Sequence, residues 1–120
     1  MKKLSILILT LMISFNSYGE WKYIFDYEDY TFYIDKDTIK ERGGYVYYWE
    51  LIDYLKPDEY GDMSLKRYLQ VDCGENRSLW LSAIYYKEPM GVNPVVTDND
   101  PSEWTHAYGD MFEYVCDFVD

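Results

Sequence analysis

Apolar and polar side chains alternate along residues 63–73. Met63, Leu65, Leu69, Val71 and Cys73 are apolar at odd positions, interrupted by Arg67, while Ser64, Lys66, Tyr68, Gln70 and Asp72 are polar or amphipathic. A period of two is that of a strand with one buried face, so the spacing predicts a strand whose core side ends at Cys73. Residues 45–55 alternate differently. Tyr45, Tyr47, Trp49 and Leu51 line one side and Val46, Tyr48, Ile52 and Tyr54 the other, which predicts a central strand covered on both faces. Residues 77–87 repeat the strand pattern, with Leu79, Leu81, Ala83 and Tyr85 opposite Trp80, Ile84 and Tyr86.

Residues 21–25 and 30–35 are aromatic and β-branched runs around the acidic turn Asp26, Tyr27, Glu28, Asp29, the signature of a first hairpin. Asp35, Lys36, Asp37 and Thr38 break that pattern, and an aspartate cap here predicts a single helical turn that sets Ile39 against the sheet. Gly43 and Gly44 mark a tight reversal, residues 56–62 a loop, and residues 74–76 a turn. Residues 88–94, with two prolines and a glycine, read as irregular, followed by a short edge strand over residues 95–97. Strands joined by such short turns imply an antiparallel meander.

The last element is a helix beginning between Asp100 and Thr105. Asp100, Pro101 and Glu103 are spaced as N-cap, first-turn proline and third-position acid, and Thr105 is a second candidate cap. Ala107, Tyr108, Met111, Phe112, Val115, Cys116 and Val119 then recur at helical spacing. Gly109 weakens that helix by about 1 kcal/mol.

The first nineteen residues carry Lys2 and Lys3, an apolar run over residues 4–15, and small residues at Ser17 and Gly19, which predicts a cleaved signal peptide at 1–19. The run is shorter than the roughly 18 residues a membrane span requires. No cysteine follows it, so the expected product is not a lipoprotein. It is a single domain, residues 20–120, that is periplasmic, secreted or at the cell surface. Loss of the two lysines leaves 9 basic residues against 22 acidic ones, a formal net charge of −13. Such a charge argues against nucleic acid and anionic lipid, which reward a basic footprint, and leaves basic proteins or cations as partners. Two cysteines in an exported chain predict one disulfide, Cys73 to Cys116, rather than a metal or redox site.

Catalytic chemistry finds little support. Asp26, Glu28, Asp29 and Asp98, Asp100, Glu103 read as solvated loop acids, and residues 97–100 lack the glycine and closing glutamate of a calcium loop. His106, the sole histidine, reads as a helix-start residue, and no serine sits in a nucleophile turn. The expected chain is therefore non-enzymatic, without cofactor or metal. Fifteen tyrosines and four tryptophans read either as core and sheet-covering side chains or as a protein-binding face.

Tyr33, Ile34, Asp35 with Thr38 and Ile39, then Lys66, Arg67, Tyr68 ahead of Val71, Asp72, Cys73, the Met90, Gly91 turn, and a tryptophan before a helix ending in Val115, Cys116 form an ordered set. In order and spacing this set resembles the surface-adhesin protein E family of Gram-negative bacteria, over about residues 21–118. The resemblance implies an α+β fold: an antiparallel sheet of about six strands, with the C-terminal helix packed on one face and tied by Cys73 and Cys116. It implies a partner among host extracellular-matrix or serum proteins, such as vitronectin or laminin, and a homodimer. It places partner binding at Lys66, Arg67 and Tyr68. The net charge offers an alternative function, an acidic periplasmic inhibitor or immunity-type protein for a basic enzyme.

Overall fold

The computed structural model describes residues 20–119, and the signal segment expected at 1–19 lies outside them. Six strands follow in order: β1 (Trp21–Tyr27), β2 (Tyr30–Arg42), β3 (Tyr45–Tyr54), β4 (Ser64–Asp72), β5 (Arg77–Glu88) and β6 (Val92–Asp98). A two-residue β7 (Thr105–His106) and a helix, α1 (Asp110–Phe118), complete the described residues. Each of the six strands pairs antiparallel with the next, so sheet order equals sequence order, and β7 lies against β5. The expected meander is present. With a single nine-residue helix among the described residues, the sheet dominates and α+β describes the fold only loosely.

Side chains directly opposite in antiparallel strands share a face. The row Ile34, Glu50, Arg67, Ala83 lies on one side and the row Tyr33, Leu51, Lys66, Ile84 on the other. On the first side, here the helix face, Met111 and Val115 of α1 pack on Ile34, Ile39, Val46, Tyr48, Leu69 and Val71. Their i, i+4 spacing puts both on one stripe. Cys116, the residue after Val115, is bonded to Cys73 just past β4, with Cα atoms 5.9 Å apart. The helix is thus fixed covalently over the core it covers.

The break expected after Asp35 is real, but it is a bulge and not a helical turn. β2 runs on to Arg42, and its register with β3 slips between Asp35↔Trp49 and Lys40↔Tyr47. Five steps on β2 answer two on β3, leaving three extra residues. Thr38 closes the gap: its hydroxyl donates to Asp35 O at 2.7 Å and accepts the Trp49 N–H at 3.0 Å. An odd excess inverts the alternation. Ile39 consequently turns into the core, at 8% exposure, while Lys40 and Arg42 join the face opposite the helix.

The helix expected from the 100–105 region starts later, at Asp110, after Gly109 with φ 99° and no side-chain cap. Residues 99–104 are irregular and residues 105–106 form β7 instead. The outer edge of β5 explains this, because β6 pairs with only part of it and the remaining backbone groups require partners. Ser102 N–H donates to Trp80 O at 2.9 Å, Trp80 N–H donates to Ser102 Oγ at 3.0 Å, and β7 pairs Thr105 and His106 with Ser78 and Arg77. His106 is therefore a strand residue and not a helix start. Likewise β6 is longer than the strand expected at 95–97, because the irregular Asn93 (φ 61°) and Pro94 are absorbed at a sheet edge.

Candidate functional site

Lys66, Arg67 and Tyr68 occupy the middle of β4, so their side chains leave alternate faces. The structure brings Lys66 and Tyr68 to one side and sends Arg67 to the other. On the helix face, Arg67 Nε and Nη2 both meet Glu50 Oε2. Glu50 is 2% exposed. In β3 and β4 this ion pair lies between the helix-covered cluster and a second cluster of Ile52, Tyr54, Leu65 and Ala83. A charge so buried requires its partner. Arg67 is accordingly committed to the sheet.

On the open face, Lys66 Nζ lies 5.4 Å from the Trp21 ring centre and 5.2 Å from that of Tyr86. Burial pulls the Lys66 ammonium below its ordinary pKa, with Asp35 opposing the shift. The β5–β6 turn folds over this lysine so closely that a Cβ at Gly91 would stand 2.6 Å from Lys66 Cε. Three hydrogen bonds fasten the turn. Met90 N–H donates to Asp53 Oδ1 at 2.8 Å, Gly91 N–H donates to Ser64 Oγ at 2.9 Å, and the Ser64 hydroxyl donates to Glu88 O at 2.7 Å. Ser64, a polar position that alternation exposes, is fully buried for this reason, and so is Leu51.

Tyr68 belongs to a ladder of rings. Its ring centre is 5.0 Å from Trp49 and 6.1 Å from Tyr47. The Arg42 guanidinium lies 4.4 Å from the Tyr47 centre, and its Nη2 donates to Tyr68 OH at 3.4 Å. Further along, Arg77 lies 4.3 Å from the Trp104 centre, and Trp104 is 5.6 Å from Tyr45. A cleft of about 550 Å³ opens between the bulge and the ladder, lined by Asp37, Thr38, Lys40, Arg42, Trp49 and Tyr68. A second cleft, of about 610 Å³, has Tyr85, Val95 and Val96 in its wall and Asp58, Asp62 and Lys87 at its rim.

Alternation alone missed Lys40, Arg42 and Trp49 as site residues. Their one signal was the five-residue spacing of Ile34 and Ile39, which no regular strand can place on a single face. The Ser64 and Ser102 hydroxyls are engaged structurally, in the turn and beside Trp80, and the His106 ring lies tilted 5.4 Å from that of Tyr108. Among the described residues, no group of three or more His, Cys, Asp or Glu side chains is placed to hold a metal. No helix among them is long and apolar enough to cross a membrane.

No curated protein matches the sequence. Among solved structures, a crystal structure of Haemophilus influenzae protein E is similar, with a TM-score of 0.60 at 13% identity, over 83% of this chain and 90% of that one. That likeness concerns the fold. The sequence profile of surface-adhesin protein E matches residues 21–117, nearly everything from β1 to the end of α1. By that match, the chain belongs to the surface-adhesin protein E family.

Proposed function

We propose that this chain is an exported, non-enzymatic binding module of adhesin type that presents the open face of its sheet to a host matrix, serum or envelope protein. One observation carries the reading: cations held on aromatic rings, with Lys66 and Tyr68 among them, gathered on the sheet side that α1 leaves bare. Tyrosine, tryptophan and arginine dominate the energetic centres of protein interfaces, and a ring-held cation is already ordered before its partner arrives. Arg67, bonded to Glu50, supports the sheet and stands outside the contact. The Cys73–Cys116 bond suits an oxidising compartment.

The test is saturable binding of the mature protein, residues 20–120, to immobilised matrix and serum proteins and to envelope extract, with sedimentation to register a homodimer. Binding that Lys66→Gln and Tyr68→Ala weaken is expected. A monomer that binds nothing saturably sinks the reading, and association confined to basic enzymes at low salt would replace it with the inhibitor alternative suggested by the charge of −13.

A further inference from the structure

We infer that the cleft between the β2 bulge and Tyr68 receives an extended acidic peptide segment, an inference that rests on the protein-binding reading above and names its partner chemistry. Three cations among the described residues are answered by carboxylates: Arg67 by Glu50, Arg77 by Asp72 and Lys87 by Asp62. Lys40 and Arg42 have no such ion pair. Arg42 lies against the Tyr47 ring and gives one donor to the neutral Tyr68 hydroxyl. A guanidinium carries five N–H donors, so most of them stay available to an anion. The ring fixes the cation without neutralising it.

Lys40 and Arg42 stand two residues apart, opposite Tyr47 and Tyr45, on the same face of β2. Alternate positions of a strand repeat at about 6.6 Å. A second extended chain has the same repeat, so carboxylates on alternate residues of a peptide meet both cations at once. Asp37 lines the same cleft and repels a carboxylate there while accepting an N–H or O–H, which gives the bound segment one orientation. A sugar fits less well. Tyr47, Tyr68 and Trp49 pack on one another with interplanar angles of 26° and 35°, and Arg42 covers Tyr47. Those contacts occupy ring faces on which a sugar would otherwise stack.

The experiment is fluorescence anisotropy of the mature protein with a labelled Glu-Val-Glu-Val-Glu peptide, its lysine counterpart, and a sulfated hexasaccharide as competitor. Expected are saturable binding of the acidic peptide alone, weakening with salt, and loss of at least about tenfold in affinity in the Lys40→Gln, Arg42→Gln double variant. Lys56→Gln, in the 55–63 loop, is expected to bind as the parent does, and thermal melting checks that the double variant is folded. Absent binding, equal binding of the lysine peptide, retained affinity in the double variant, or preference for the saccharide each overturns the inference. Capture of a matrix, serum or envelope protein without binding of the acidic peptide would refute this inference alone. Binding of the peptide with no whole-protein partner would refute the adhesin-type reading alone.

Discussion

The two faces of this sheet solve opposite problems with the same strands. On the helix face, Met111 and Val115 cover aliphatic side chains, the Glu50–Arg67 ion pair is internal, and a disulfide locks the cover in place. On the open face, the β5–β6 turn lies over Leu51, and Lys66, Arg42 and Arg77 lie on aromatic rings. Neighbouring residues of β4 divide between the two, with Arg67 paired to Glu50 on the helix face and Lys66 held against the Trp21 and Tyr86 rings on the open one. Chemical type therefore does not assign a role here. The side of the strand does.

That contrast is sharpest in stability. Replacing both Cys73 and Cys116 with serine is expected to cost roughly 4 kcal/mol, from the 43-residue separation in the chain-entropy model. Urea unfolding measures it, and an unchanged midpoint would break the claim that the helix face is the anchored one. Ile34→Ala should cost about 3 kcal/mol, as expected for a fully buried aliphatic. Glu50→Gln should cost about 2 kcal/mol. This is below the usual penalty for breaking a buried pair because the Arg67 side chain is still 29% exposed and can reach water.

Alkaline pH probes the same face. Burial raises the Tyr48 phenol well above its ordinary pKa and pushes Tyr54 up to about 12 from 10.0. For a group whose folded pKa is raised, the stabilisation is complete below the unfolded value and is lost as pH climbs through the folded one. Stability should therefore fall between pH 10 and about 12, and Tyr54→Phe should flatten the fall. A melting temperature indifferent to that range would contradict the burial. The smallest expected change belongs to Lys66→Gln, below about 1 kcal/mol in unfolding yet with weakened partner binding. Large destabilisation by that substitution would erase the distinction between the faces.

Much of the sheet could be read from alternation because each strand is bounded by turn chemistry of its own, such as Gly43 with Gly44. The cysteine pair was legible by count. Two features were not. Residues 100–105 carry a local capping pattern, but the unpaired edge of β5 outcompeted it, and an edge is visible only once the strands are assembled. The bulge defeated local reading because Ile34 and Ile39 satisfy a helical turn as well as a kinked strand. The cleft of Lys40, Arg42 and Trp49 depends on that bulge, so it could not be found before the register was known.

Three supernumerary residues between Asp35 and Lys40 act like a shift of reading frame for the remainder of β2. Loss of one residue there would leave Ile34 and Ile39 four apart, a spacing that regular alternation already places on one face, so Ile39 and Arg42 would keep their sides while the bulge shortened. The cationic cleft is written in chain length as much as in residue identity. Within this fold, a single-residue insertion or deletion at 36–38 is expected to reshape the cleft that Asp37 and Thr38 line while leaving Ile39 in the core.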